Sequence, residues 1–226
     1  MHKLPARLTA EALGTFALIF IGCGAVIVSS LPGAGFGLLG IALAHALVLG
    51  VMVTATMNIS GAHINPAVTV GMMLIRRISP RDAVAYVVAQ LAGAVLGAYT
   101  LKLVIPGGIL ALGTMGTPAL ANAMSFPTAI GLEAVLTFFL MSAVMGTAVA
   151  EEAPKVGGFG IGLTLVFDIL VGGPLTGAAM NPARAFAPAL MSGTWYAQLV
   201  WWIGPIIGAV VAAVLWEKVI LRRRAE

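Results

Sequence analysis

The chain has 226 residues, of which 60% are hydrophobic and 9% charged, and its mean hydropathy is +1.06. A soluble domain carries about 25% charged residues, so this composition excludes a soluble enzyme or binding module and marks an integral membrane protein. A lone cysteine, Cys23, excludes an intrachain disulfide and a cysteine-based metal cluster. The net charge of +4 is dispersed over segment ends and forms no patch for nucleic acid.

In chain order, residues 1–7 form a short basic leader. Leu8 to Val28 is apolar apart from Glu11 and small hydroxyls, and it is too long for a signal-peptide core; it predicts a retained first span. Pro32 to Gly35 predicts a turn, and Phe36 to Thr56 a second span carrying His45. An apolar run from Pro66 to about Ile75 then ends at Arg76-Arg77. About 10 helical residues rise about 15 Å, which is half a bilayer core. Ser79 to Asp82 predicts the start of a third long helix, reaching about Val104. Ile105 to Ser125 is a charge-free connection rich in Gly, Pro and Thr, and it divides the chain into halves.

The second half repeats this order. Phe126 to Ala150 predicts a fourth span with Glu133 near its start, and Val156 to Val171 a fifth containing Asp168, broken by Gly172-Gly173-Pro174. A second short helix runs from Pro182, with an interruption expected at Pro188 and an end near Met191. Trp195 to Leu221 predicts a sixth span, with Trp195, Tyr196 and Trp216 as interfacial anchors.

Both short helices are entered through the same motif. Ser60-Gly61-Ala62-His63-Ile64-Asn65-Pro66-Ala67 recurs as Thr176-Gly177-Ala178-Ala179-Met180-Asn181-Pro182-Ala183, followed by Arg184. Asn caps a helix, and Pro suits the first helical position because it lacks a donor. Glu11 to Phe16 (EALGTF) matches Glu133 to Phe138 (EAVLTF). Each half carries an odd number of full spans, so the second half must be inverted. Lys3, Arg7, Arg76, Arg77, Arg81, Lys155, Lys218 and Arg222 to Arg224 then fall on one side, and only Lys102 and Arg184 do not. The positive-inside rule makes that side the cytoplasm and places both termini there. Gly14, Gly22, Gly93, Gly97, Gly204 and Gly208 allow close helix approach. The chain is thus read as one transmembrane domain over residues 1–226, with inverted repeats at about 8–104 and 126–221.

Interrupted segments at matching places in two halves point to a permeation path. The two half-helix N-termini would meet near the midplane, each with roughly half a positive elementary charge, and would repel cations but not neutral molecules. Asn65 and Asn181 are expected to turn amide donors to the lumen. The carbonyls of Gly61, Ala62 and His63, and of Gly177, Ala178 and Ala179, are expected to line the two half-pores. Glu11 and Glu133 are read as acceptors for the orphan N–H groups of the buried loops. Asp168 has two readings, as a further acceptor for loop N–H groups or as a negative charge near the pore that favours weak bases or cations; His63 is read as a brace for its loop.

The twin Asn-Pro-Ala motifs, Arg184 and the paired glutamate helices resemble the aquaporin (major intrinsic protein) family over about Leu8 to Leu221. The resemblance implies an all-α hourglass: six transmembrane helices plus two re-entrant half-helices, one pore per subunit, and a homotetramer in the lipid bilayer. It also implies a four-position filter, which by counting from the motifs falls on His45, Ile169, Ala178 and Arg184. This set resembles the filters of plant vacuolar-membrane aquaporins. Ala185 stands where glycerol facilitators typically carry Asp. The filter is expected to be wide and only partly polar, with His45 and Arg184 offering donors on one side. The expected activity is passive passage of water and ammonia in a plasma membrane, with urea, hydrogen peroxide and glycerol as further candidate solutes. No cofactor or metal is expected. An enzyme is disfavoured because no nucleophile–base pair or phosphate loop is present. The rival class is a secondary transporter, which shares inverted repeats and broken helices but needs a cluster of titrating groups where this chain has Asp168 alone.

Overall fold

A computed structural model describes residues 2–110, 112–154 and 156–221 of the protein. Lys155 and Arg222 to Arg224, which contribute to the charge asymmetry, lie outside the described residues. The long helices are α1 (Leu4–Ser29), α2 (Gly37–Ser60), α4 (Pro80–Val104), α6 (Phe126–Val144), α7 (Phe159–Thr176) and α9 (Val200–Leu215). The half-helices are α3 (Pro66–Leu74) and α8 (Pro182–Ser192), and a single turn, α5 (Gly107–Leu110), follows α4. Six of these helical segments are long and apolar enough to cross a membrane. The fold is therefore the inverted-repeat hourglass of six spans and two half-helices.

Helix starts follow local chemistry. Ser79 and Ser125 cap α4 and α6 by accepting from the backbone N–H groups of Asp82 and Thr128, with Pro in the first turn of each helix. Within each half the first and third long helices cross on glycines. A Cβ at Gly93 would collide with the backbone of Ala12, and one at Gly208 with that of Ala134. The half-helices exchange partners: α3 packs on α9 of the other half, and α8 packs on α4. This exchange joins the repeats into one bundle.

Several expected breaks are absent. The fifth span runs through Gly172-Gly173-Pro174 to Thr176, and α8 runs through Pro188 to Ser192. In a bilayer there is no water to reward an open backbone, so glycine and proline are retained within helices. The second span reaches Ser60, one turn beyond expectation, and stops where Gly61 turns left-handed at φ 86°. The last span begins at Val200 rather than Trp195, because residues 196–199 form turns. Both α6 and α9 end in a π-helical turn, Met145–Val149 and Trp216–Ile220. A Cβ at Gly146 would meet the Trp216 ring, so the two turns are in contact. The long connection also folds back on the protein: Ala121 donates its N–H to the Leu175 carbonyl at 2.9 Å.

The glycine crossings are testable. Gly93→Val places two methyls against rigid backbone rather than a movable side chain. It is expected to destabilise the protein by about 3 kcal/mol, the upper end for overpacking, read as a lower melting temperature in detergent. Val at Gly131, where an added Cβ would meet nothing within 4 Å, should leave that temperature unchanged.

Candidate permeation site

Each loop before a half-helix holds three left-handed residues within four positions. Gly61, Ala62 and Ile64 have φ of 86°, 48° and 52°; Gly177, Ala178 and Met180 have 80°, 43° and 52°. Non-glycine residues rarely adopt this region and persist there only when the surroundings fix them. The fixing group in each half is a fully buried carboxylate. Glu11 accepts through Oε1 from the His63 N–H at 3.0 Å and the Ser60 hydroxyl at 2.7 Å. Through Oε2 it accepts from the Ile64 N–H at 2.7 Å and the Gln90 amide at 2.8 Å. Glu133 accepts from the Ala179 N–H at 3.0 Å, the Met180 N–H at 2.8 Å and the Thr176 hydroxyl at 2.7 Å.

The hydroxyls act as relays. The Ser60 Oγ accepts from the Ala62 N–H at 3.0 Å, and the Thr176 Oγ1 from the Ala178 N–H at 3.3 Å. A ring from the third long helix of each half holds the carbonyl of the same residue: Tyr86 OH donates to Ser60 O at 2.7 Å, and Trp201 Nε1 donates to Thr176 O at 2.9 Å. Sequence reasoning assigned no role to Ser60, Thr176, Tyr86, Trp201 or Gln90. The available signal was positional, since Ser60 and Thr176 each stand five residues before an Asn of the motif.

Asn65 and Asn181 cap their half-helices, accepting from the N–H groups of Ala67 at 2.8 Å and Ala183 at 3.0 Å. Pro66 and Pro182 occupy the first turns. One N–H of each amide does not face the lumen as expected. Asn65 Nδ2 donates to Met180 O at 2.8 Å, and Asn181 Nδ2 donates to Ile64 O at 2.9 Å. These two bonds tie the loops together across the midplane, and each amide keeps its second N–H. His63 approaches Thr69 through Nδ1 at 3.1 Å and packs edge-on to Tyr86.

Two cavities follow one another through the bundle. The inner one leaves about 30 Å³ for the centres of water-sized molecules, and its lining includes Asn65, Asn181, Ala62, His63, Ala178 and Ala179. The outer one leaves about 360 Å³, and Gly177 lies in its wall. Gly61 is among the lining residues of neither. His45, Ile169 and Arg184 line both, so the narrow passage lies between them. Arg184 Nη1 donates to Gly116 O at 2.8 Å. Gly116 belongs to the long connection, which sequence reasoning left without a site residue.

His45 departs from its expected role as a donor. Its Nδ1 lies 2.9 Å from Ile41 O. A carbonyl only accepts, so Nδ1 carries a proton, and Nε2 is buried without a hydrogen-bond partner among the described residues. Asp168 also departs from expectation. Both its oxygens are buried without a hydrogen-bond partner among the described residues, because Glu133 and Thr176 already take the loop N–H groups.

The family model described as "Major intrinsic protein" matches residues 2–216. The chain belongs to the major intrinsic protein (aquaporin) family. Its relatives include "Aquaporin TIP4-4" of Zea mays, 41% identical and aligned over 92% of this chain and 84% of that one. "Aquaporin AqpM" of Methanothermobacter marburgensis is 37% identical over 96% and 98%. Among solved structures, the aquaglyceroporin from Plasmodium falciparum superposes with a TM-score of 0.85 at 25% identity, covering 96% and 97% of the two chains. The protein is thus a multi-pass membrane channel of a family that passes water and small solutes.

The buried carboxylate of this aquaporin-family channel gives a direct test. Glu133→Gln replaces one acceptor oxygen by an NH₂ facing donors. It is expected to destabilise the protein by about 1–3 kcal/mol, the cost of a buried unsatisfied group, seen as a lower melting temperature and poorer folded yield in detergent.

Proposed function

We propose that this chain is a passive channel for water and ammonia that excludes protons and ions, with urea, hydrogen peroxide and glycerol as further candidate solutes. The observation that carries the reading is the passage shared by the two cavities, whose walls are one imidazole, one isoleucine and one arginine. Ile169 supplies an apolar wall with no donor, and Ala178 leaves room beside it. Arg184 donates one N–H to Gly116 O, and its remaining donors suit a lone pair on oxygen or nitrogen. The Nε2 of His45 faces away from this role, so solute orientation at the filter rests on Arg184.

Asn65 and Asn181, each with one free N–H, orient a water at the midplane by its oxygen. Such a water cannot readily continue a proton-conducting chain. The loop carbonyls on either side accept hydrogens from the file of waters, and the apolar wall opposite keeps contacts few. Ion exclusion combines the half-helix ends with Arg184. A monovalent cation about 5 Å from a full positive charge meets about 3 kcal/mol of repulsion at an effective dielectric of about 20.

The proposal extends to context. The chain acts as one channel domain over residues 1–226, assembled as a homotetramer, in the plasma membrane with both termini cytoplasmic. It is a channel and not an enzyme. The likeness to a protein described as an aquaglyceroporin supports glycerol as a candidate, and the aquaporins among the relatives support a water path.

Stopped-flow measurements on proteoliposomes test the reading. The wild-type protein is expected to give non-saturating water flux of low activation energy and ammonia flux above that of empty liposomes. Saturable flux driven by an ion gradient would indicate a transporter instead. Ile169→His adds a ring and a donor, and should lower ammonia permeability relative to water by about tenfold, equivalent to about 1.4 kcal/mol.

Arg184→Val removes the full charge. It is expected to raise proton or cation leak by about one to two orders of magnitude while water flux persists, given the repulsion above. A fluorescent pH indicator trapped in the liposomes reads the leak.

A further inference from the structure

We infer that Gly22, on α1 and outside the lining of both cavities, sets the aperture of the filter by giving the His45 ring a place to lie. This inference rests on the placement of the constriction at His45, Ile169 and Arg184. The His45 ring leans on α1. A Cβ at Gly22 would lie 2.5 Å from Nε2, 2.6 Å from Cδ2 and 3.0 Å from Cε1. The three nearest atoms all belong to this one ring, and the first two distances are shorter than real Cβ contacts. The missing side chain of Gly22 is therefore the seat of the imidazole.

An added methyl would meet the far end of the His45 side chain, so the ring itself must move. Its Nδ1 is bonded to Ile41 O at 2.9 Å, which fixes the ring against its own helix. The ring is buried, and His45 belongs to the lining of both cavities where they meet. A methyl at Gly22 has one outlet, which is to push the imidazole into that passage. Gly22 is thus a positioning residue: it touches no solute, yet its lack of a side chain keeps the His45 wall drawn back. The same seat turns Nε2 toward the α1 backbone. Glycine is also required here for a reason other than backbone freedom, since α1 is regular helix at this point.

The test is a double-mutant cycle in proteoliposomes, with water and urea as probes and reconstituted protein matched by quantitative blotting. Gly22→Ala is expected to lower water permeability by about fivefold, equivalent to about 1 kcal/mol on the permeation barrier, and to lower urea permeability at least as much. His45→Ala should raise the urea-to-water ratio. In the His45→Ala background, adding Gly22→Ala should change neither permeability, because the ring it would displace is gone. Wild-type permeabilities in Gly22→Ala overturn the inference. So does a further loss when Gly22→Ala is added to His45→Ala, which would show a general packing defect. If Gly22→Ala fails to insert, the comparison of His45→Ala with the double variant decides alone. A His45→Ala channel with the wild-type urea-to-water ratio overturns the placement of the constriction, and the inference with it.

Discussion

The structure depends on two buried carboxylates, each surrounded by donors. Glu11 receives two backbone N–H groups, a hydroxyl and an amide, and Glu133 receives two N–H groups and a hydroxyl. An ionised carboxylate taken out of water is penalised by several kcal/mol unless its lone pairs are filled. A loop at membrane depth has the opposite problem, because its N–H groups have no acceptor. Each defect resolves the other. Charge-assisted bonds are roughly twice as strong as neutral ones, which lets the loops hold left-handed residues that a surface turn would shed. With the N–H side of each loop committed to the protein, the carbonyl side is the one left to face the lumen.

The two loops then need a fixed separation, and the asparagines supply it. Each side chain caps its own half-helix with Oδ1 and reaches the opposite loop with Nδ2. The half-helices thus meet with their positive ends together, an arrangement that electrostatics opposes. The glutamates behind the loops offset part of that field. Arg184 differs, because its described partner is the neutral carbonyl of Gly116. In the proposed channel its charge is therefore the least compensated along the path, and the ion barrier is highest at the outer constriction rather than at the midplane alone. The halves also differ in polarity. Thr69 and Gln90 add a polar cluster behind the first loop, whereas the corresponding surroundings of the second include Ala185 and Pro205.

Much of this was legible because it is duplicated. Twin motifs, matching glutamate helices and an odd number of spans per half lead from sequence to inverted repeat without recourse to coordinates. The misplaced helix breaks share one cause. Gly172-Gly173-Pro174 and Pro188 are turn signals in water, where an open backbone finds new partners, but in a bilayer they remain helical. The partners of Arg184 and His45 were illegible for a different reason. Gly116 acts through a carbonyl, which every residue possesses, and its connection has no periodicity to place it. Ile41 likewise meets His45 through backbone. The bare Asp168 was misassigned because the pattern shows a spare acid near a loop needing acceptors. It cannot show that the acid of another helix already fills that need.

The division between duplicated and single features is also a division of labour. The braces are paired, lie behind the loops and depend on carboxylate geometry, so little in them can vary without loss of fold. The constriction draws one wall each from α2, α7 and α8, with its arginine anchored to the connection between the halves. None of these walls has a counterpart that must change with it. Each is backed by a different neighbour: His45 by α1, Arg184 by the connection, Ile169 by its own continuous helix. Filter width and polarity can therefore vary wall by wall while the loops stay fixed. This physical independence lets one scaffold hold filters of different breadth, and here the passage is walled by one arginine, one imidazole and one isoleucine.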